Sequence, residues 1–142
     1  MLRGLGFLIV LGLLACGDDP TAPSSADGLW SLRRLNGAPL PYDHEGLGCC
    51  NYLSGSMELT RGRYDAGITF ANRITGQVAS VVEWGTYAQP SPSRIVFARD
   101  SFVLAPMLMD VATVSADTIR VAWGGEGPGS PDQFQALYVR EP

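Results

Sequence analysis

The sequence predicts an all-β protein, and three observations favour that fold class. Apolar and polar residues alternate with a period of two over most of the chain after residue 28, whereas an amphipathic helix needs a period near 3.6. Glycine occurs 17 times and proline 10 times in 142 residues, which favours many turns. Turn sequences separate the alternating segments at short spacing. The length suits one domain and is too small for two of ordinary size.

The alternating segments divide into about eight strands. Their expected starts are Leu29, Ser56, Arg63, Gln77, Arg94, Phe102 or Met107, Thr118 and Phe134. Short connections make neighbours in sequence pair with each other, and eight such strands lose their free edges by closing into an antiparallel up-and-down barrel. A two-sheet sandwich is the alternative that the pattern leaves open. Four aromatic residues in these strands are expected in the core: Trp84, Tyr87, Trp123 and Tyr138.

Connection lengths predict that the two ends of the barrel differ. In an up-and-down barrel alternate connections lie at the same end. One set is long and covers roughly residues 36–54, 71–76, 100–106 and 124–133, and the other set is short and covers 61–62, 88–93 and 115–117. The short set shares its end with the start of the first strand. Because long loops carry function more often than tight turns, we expect any binding mouth at the end with the long loops.

The first 15 residues have the pattern of a secretory signal peptide. Arg3 supplies a basic start, and an apolar run of ten residues extends from Leu5 to Leu14. That run is too short to cross a bilayer, which takes roughly 20 residues. The run ends in Leu-Leu-Ala-Cys at positions 13–16, which resembles the lipobox of bacterial lipoproteins. The resemblance implies cleavage after Ala15 and a diacylglyceryl group on Cys16. An ordinary secretory signal and a buried N-terminal strand are the alternatives.

Residues 16–27 follow as a flexible tether that has no large apolar side chain and contains two prolines. The lipoprotein resemblance implies attachment to a membrane of the bacterial cell envelope through the N-terminal lipid. Gly17 stands where an Asp is associated with retention at the inner membrane, which favours the outer membrane, facing the periplasm. The chain therefore divides into a signal peptide (1–15), a lipid-anchored tether (16–27) and a barrel domain (28–142).

The start of the predicted barrel resembles lipocalins. Residues 28–30, Gly-Leu-Trp, match the G-x-W of that family, and residues 36–41 and 85–87 are also similar to it. In lipocalins this Trp lies at the closed end under a basic side chain from the last strand, so the resemblance implies that Arg140 covers Trp30. It also implies that the barrel binds a small apolar ligand. The chain is shorter than most lipocalins and has no clear C-terminal helix.

Composition and motifs argue against a nucleic-acid partner and against catalysis. All ten basic residues are Arg and there are 14 acidic residues, so the formal net charge is −4 and the pI about 4.8, which is poor for binding phosphate backbones. No G-x-S-x-G motif is present, and the glycine-rich segment 124–129 does not precede a predicted helix. We expect no enzyme activity, no catalytic residue and no cofactor.

One segment holds most of the potential metal ligands. Residues 43–50 read Asp-His-Glu-Gly-Leu-Gly-Cys-Cys and contain the single histidine, His44. The spacing is not a recognised zinc pattern, and two adjacent thiolates chelate one ion poorly, so we expect no metal site. In an oxidising compartment Cys49 and Cys50 could form a strained vicinal disulfide, stay unpaired or bridge to a second molecule.

Two functions of different classes remain. The first is a binding module, because an eight-stranded barrel is just wide enough to fill itself with side chains or to hold one small ligand. The second is a protein-interaction module, such as a protease inhibitor or an envelope assembly factor, that uses its loops. A continuous apolar cavity in the barrel favours the first, and a filled interior favours the second.

Overall fold

The structure is a computed structural model that describes residues 25–43, 50–100, 109–124 and 133–142. The predicted signal peptide, Cys16, His44 and Cys49 lie outside these residues. Within them every helix or strand assigned is a β-strand. The part of the chain described contains no helix of the length and apolar character that crossing a membrane requires.

Ten strands of the described chain form one antiparallel sheet. Their bounds are β1 (Gly28–Leu35), β2 (Ala38–Pro39), β3 (Tyr42–Asp43), β4 (Cys50–Thr60), β5 (Arg63–Asn72), β6 (Val78–Ser91), β7 (Arg94–Arg99), β8 (Val111–Ser115), β9 (Thr118–Trp123) and β10 (Phe134–Arg140). From β4 to β10 each strand pairs with the next, and β1 pairs with both β10 and β4. The eight long strands therefore close into the predicted up-and-down barrel, and the sandwich alternative is wrong.

Two barrel strands begin at positions other than those expected. The second, β4, begins at Cys50 rather than near Ser56, because a register shift between Tyr52 and Ser54 interrupts the alternation in its first half. The sixth, β8, begins at Val111, later than either expected start. The apolar residues before it lack a period of two, so they could not locate the strand.

The core lies inside the barrel and consists of the inward-facing residue of each alternating pair. Its largest fully buried side chains belong to Trp30, Trp123, Tyr64 and Tyr138. Trp84 was expected among them, but it faces outward and is 44% exposed. Its neighbours Glu83 and Gly85 face inward instead. Hydrophobicity alone would turn Trp84 inward, so the inward and outward faces of this part of β6 are the reverse of that expectation.

The connections separate into two sets, as predicted. Short turns join β4 to β5, β6 to β7 and β8 to β9 at the end that also holds the start of β1 and the end of β10, which we call the turn end. The strand ends that the longer connections join lie at the opposite end, which we call the loop end. Trp30 pairs with Met57 near the turn end of β4, whereas Cys50 begins that strand at the loop end.

Candidate functional site

The turn end is closed by the segment that precedes β1. Ala26 in this segment is fully buried. Its carbonyl accepts a 3.0 Å hydrogen bond from Trp30 Nε1, and its N–H donates a 3.1 Å bond to Gln89 Oε1 on β6. The chain therefore enters the barrel across this end and is fixed there by directional contacts.

Arg140 covers Trp30 at the same end. Its Cζ lies 4.3 Å from the centroid of the indole ring, which is cation–π geometry. The guanidinium also donates to the carbonyls of Asp27 (2.7 Å) and Ser25 (3.0 Å). Gly28 has a φ of 143°, and a Cβ there would lie 3.0 Å from Arg140 Nη1, so the first residue of the G-x-W motif leaves room for the arginine. The structure thus brings together the two residues that the resemblance assigns to the closed end.

The carboxylate of Asp27 adds a third contact at the turn end. It accepts hydrogen bonds from the N–H of Arg61, at 3.0 Å, and from the Tyr87 hydroxyl. The bond from Tyr87 is the main reason that the pKa of Asp27 is lowered. Burial, followed by this same bond, raises the pKa of Tyr87 to about 12. The pair therefore stays a phenol donating to a carboxylate over a wide pH range.

Aromatic side chains, rather than hydrogen-bonded groups, line the loop end. Four residues form an aromatic cluster there: Tyr42, Tyr52, Phe70 and Phe134. Tyr52 is central, with ring centroids 5.3 Å from Phe134 and 6.4 Å from both Tyr42 and Phe70. The short strand β3 folds back on β4 and pairs Tyr42 with Tyr52, which places the Tyr42 ring in the cluster.

The barrel wall also opens toward the loop end, between β1 and β4. These strands pair only from Gly28 to Ser31, after which β1 pairs with β2 and β4 with β3. A cleft of about 270 Å³ lies where they separate, with Leu32, Leu40 and Leu53 in its lining.

A carboxylate lies inside the barrel. Glu83 is fully buried, and its Oε1 accepts a 2.7 Å hydrogen bond from the Tyr64 hydroxyl. Its Oε2 lies 3.7 Å from Arg99 Nε, a long ion pair. Burial raises the pKa of Glu83, while the Tyr64 bond and the Arg99 charge act in the opposite direction. Gly85 leaves room for this arrangement, because a Cβ there would lie 2.9 Å from Tyr64 Cε1 and 2.2 Å from the Ala98 carbonyl oxygen.

Three buried polar atoms in the interior have no hydrogen-bond partner within the described residues: Glu83 Oε2, Trp123 Nε1 and Tyr138 Oη. We call these three residues the interior polar site. The rings of Trp123 and Tyr138 lie 6.0 Å apart between centroids. Burial is the main reason that the pKa of Tyr138 is raised. A polar contact of its hydroxyl with the Trp123 side chain acts in the opposite direction, and the charge of Glu83 adds to the rise. Buried polar atoms in proteins are nearly always satisfied by protein, water or ligand, so this site is the strongest candidate for binding.

Comparison of the chain with protein-family models, with curated proteins and with solved structures found no match. The function is therefore inferred from the geometry of the barrel and from the sequence.

The structure describes only part of the segment on which the cysteine and metal predictions depend. Cys50 is disulfide-bonded, and the other two cysteines of the chain, Cys16 and Cys49, lie outside the described residues. The vicinal disulfide therefore stays a prediction. In the ranges that the structure covers, no three His, Cys, Asp or Glu side chains come together in a way that could hold a metal ion.

Sequence reasoning missed Glu83. It is the one charged residue in β6, and it occupies an inward position between Val81 and Gly85. A single acidic residue at an inward position of a predicted strand was the available signal. Its partners could not be read from the chain, because Tyr64 lies on β5 and Arg99 on β7.

Proposed function

We propose that the protein is a lipid-anchored, lipocalin-like barrel of the bacterial cell envelope that binds a small, mainly apolar ligand through its loop end. The interior polar site is the observation that carries this proposal. A barrel with a purely structural interior would be expected to pair such groups or to replace them by apolar ones. The aromatic cluster favours the loop end as the entrance for the ligand, because rings supply apolar contact without fixed hydrogen bonds.

The turn end supports the proposed orientation on the membrane. The segment 25–27 is held across that end, so a lipid on Cys16 would be joined to the barrel there. The intervening residues span at most about 30 Å when fully extended. In this arrangement the turn end faces the lipid surface and the loop end faces the periplasm, from which a ligand can enter.

The anchor is tested by mass spectrometry of the full-length chain expressed in a bacterium and extracted from membranes. We expect the mature protein to begin at Cys16 with acyl chains on that residue. The variant Cys16→Ser should leave the membrane fraction and keep its folded β-sheet circular dichroism signal, because the tether lies outside the barrel. A mature chain with an unmodified Cys16 would contradict the proposal.

Ligand binding is tested with the fluorescent apolar probe N-phenyl-1-naphthylamine on the full-length chain carrying Cys16→Ser. We expect saturable binding at one site, weakened by Tyr52→Leu in the aromatic cluster. The matched control is Tyr87→Phe at the turn end, which should bind the probe as the parent does. Fluorescence that rises without saturation, or that is insensitive to Tyr52→Leu and falls with Tyr87→Phe, would contradict entry at the loop end.

One observation favours the protein-interaction alternative. The hairpin between β5 and β6, at the loop end, exposes Ile74 to 86% and Val78 to 64%. Exposed apolar side chains on a loop are typical of protein contacts. If this alternative holds, Ile74→Ser combined with Val78→Ser will abolish co-purification of a partner from envelope extracts and leave binding of the naphthylamine probe unchanged.

A further inference from the structure

Charge is distributed unevenly between two parts of the barrel wall. Strands β7–β10 contain four arginines and no acidic residue, whereas β4–β6 contain three acidic residues and one arginine. The chain as a whole has a formal net charge of −4. One part of the wall is therefore basic in an acidic protein, and an anion would be attracted to that part.

Two of the four arginines on β7–β10 have partners in the fold, and the other two have none among the described residues. Arg140 covers Trp30, and Arg99 forms the long ion pair with the buried carboxylate. Arg94 and Arg120 are exposed on the outer face, and neither makes a hydrogen bond or an ion pair with another described residue. Their charges are thus available to a molecule outside the barrel.

A third outward arginine comes from β1. The register shift between Leu32 and Arg34 leaves both Arg33 and Arg34 exposed. Arg33 pairs with Glu141 at 2.9 Å. Arg34 has no acidic partner among the described residues, and its Nη1 donates a 2.9 Å hydrogen bond to the Gly37 carbonyl. That bond holds one end of the Arg34 guanidinium in place.

Arg34 and Arg120 line one depression on the outer face. Both are cross-strand partners of Leu137 on β10, one on each side, and Leu137 is half-buried between them. Two strand spacings separate their Cα atoms by roughly 10 Å, which two arginine side chains can span. The depression has a volume of about 80 Å³ and is also lined by Gln135, and no acidic residue is among the described residues around it. Two cations and one amide therefore face the same space.

The size and charge of this depression suit a phosphate group. Its volume of about 80 Å³ compares with roughly 30 Å³ per molecule in liquid water, so it has room for a tetrahedral oxyanion and not for a bulky molecule. A phosphate monoester carries a charge of about −1.5 to −2 at pH 7, which matches two guanidinium groups. The planar fork of a guanidinium also binds two phosphate oxygens at once.

We propose that Arg34 and Arg120 form a site on the outer wall for a phosphate dianion, either inorganic phosphate or the phosphate monoester group of a larger molecule. Gln135 adds an amide donor, and the rest of a larger molecule extends into solvent. The site is separate from the interior polar site, so this inference goes beyond the proposed function and does not depend on it.

Four anions test the site on the full-length chain carrying Cys16→Ser, at constant ionic strength: inorganic phosphate, methyl phosphate, dimethyl phosphate and acetate. Binding is followed through the arginine Nε–H signals in nuclear magnetic resonance spectra. With phosphate and methyl phosphate, we expect the Arg34 and Arg120 signals to shift and saturate together while the Arg94 signal stays in place. Dimethyl phosphate and acetate carry a single charge and should bind at least about fivefold more weakly. Tighter binding of methyl phosphate than of inorganic phosphate would identify the esterified group as the ligand, and the reverse would identify free phosphate.

Three variants separate this site from the general charge of the wall. Arg120→Gln removes a cation from the depression and Gln135→Glu adds a carboxylate to it, so each should weaken methyl phosphate binding at least about fivefold. The matched control is Arg94→Gln, which removes the same charge from the same face at a position that does not line the depression. It should change the affinity by about twofold or less. All three positions are exposed, so the Trp30 indole signal should show that each variant is folded.

Three results would overturn the phosphate site. The first is an equal loss of affinity in Arg94→Gln and Arg120→Gln, which would indicate general attraction by the basic wall. The second is the absence of a saturable shift of the Arg34 and Arg120 signals with phosphate and methyl phosphate. The third is binding of dimethyl phosphate, the diester found in phospholipids and nucleic acids, or of acetate as tightly as methyl phosphate. N-phenyl-1-naphthylamine should bind all three variants as it binds the parent, so failure of this site leaves the proposed function standing.

Discussion

The two ends of this barrel are held together by different kinds of contact. At the turn end, Arg140 covers Trp30 and donates hydrogen bonds to two main-chain carbonyls, while Asp27 accepts bonds from Arg61 and Tyr87. At the loop end the contacts are mostly between the rings of the aromatic cluster, with an exposed ion pair between Arg73 and Asp43 at 3.1 Å.

This difference indicates that the turn end stabilises the fold, whereas the loop end is where a ligand would enter. Hydrogen bonds and cation–π contacts require one geometry, so the turn end is held in a single arrangement. Contacts between rings bury apolar surface without requiring hydrogen bonds, and an apolar guest can supply contacts of the same kind. We therefore expect substitutions at the turn end to lower the free energy of unfolding, and substitutions in the interior polar site to change binding more than stability.

The largest effect is expected for Trp30→Ala at the turn end. The change removes a fully buried indole, its hydrogen bond to Ala26 and the surface on which Arg140 lies. Urea denaturation should show a loss of about 3–5 kcal/mol in the free energy of unfolding. The matched control is Trp84→Ala, which removes an indole from the outer face and should cost about 1 kcal/mol or less. Equal losses would contradict the structural role of Trp30.

Gly85→Ala should come next, and it tests how closely the interior around Glu83 is packed. The new Cβ would lie 2.2 Å from the Ala98 carbonyl oxygen, so β6 and β7 would have to move apart. A loss of about 1–3 kcal/mol in thermal or urea unfolding is expected from such overpacking. Gly67→Ala on β5 is the control, because its Cβ would lie 3.8 Å from the nearest atom. If both variants unfold at the same denaturant concentration, the packing around Gly85 is looser than described.

A pair of tyrosine variants compares the two regions directly. Tyr87→Phe removes a hydroxyl that donates to Asp27, and it should lower the free energy of unfolding by about 1 kcal/mol. Tyr138→Phe removes a buried hydroxyl without a partner among the described residues, so the variant should be as stable as the parent or more stable. Melting temperatures measured side by side give the order, and the reverse order would contradict the comparison.

The smallest effect is expected in the pH dependence, where the two regions have opposite signs. The pKa of Glu83 is raised in the folded protein, so its contribution to stability is present below its ordinary pKa and is lost as pH rises through the raised value. Glu83→Gln should therefore gain stability relative to the parent as pH rises above the ordinary glutamate pKa of about 4.3. The pKa of Asp27 is lowered, so its contribution is present at neutral pH and is lost as pH falls.

Melting temperatures of both variants from pH 3 to pH 8 check these signs. Asp27→Asn should lose stability relative to the parent at neutral pH and approach it in acid. Curves parallel to that of the parent for both variants would mean that neither carboxyl changes its pKa on folding.

Much of the fold could be predicted because pairing follows local alternation and connection length. These two features placed Trp30 and Cys50 at opposite ends, where the structure has them. The G-x-W resemblance identified Arg140 as the partner of Trp30. These predictions needed only the order of the strands and one short motif.

The interior polar site could not be predicted because it depends on which face of each strand is buried and on contacts between residues far apart in the sequence. Hydrophobicity places Trp84 inside and Glu83 outside, and the structure has the reverse. The start of β4 was missed for a similar reason, since the register shift after Tyr52 breaks the pattern on which the prediction depends. A pattern of period two gives two possible faces, and only the assembled sheet determines which one is buried.

The indole N–H signals of the three tryptophans test most directly whether a ligand enters the interior from the loop end. Trp30 lies at the turn end, Trp84 on the outer face and Trp123 in the interior polar site. On titration with N-phenyl-1-naphthylamine, we predict that the Trp123 signal moves and saturates while the signals of Trp30 and Trp84 stay in place. A shift confined to Trp84, or no shift at Trp123 at a saturating concentration of N-phenyl-1-naphthylamine, would contradict entry of a ligand into the interior from the loop end.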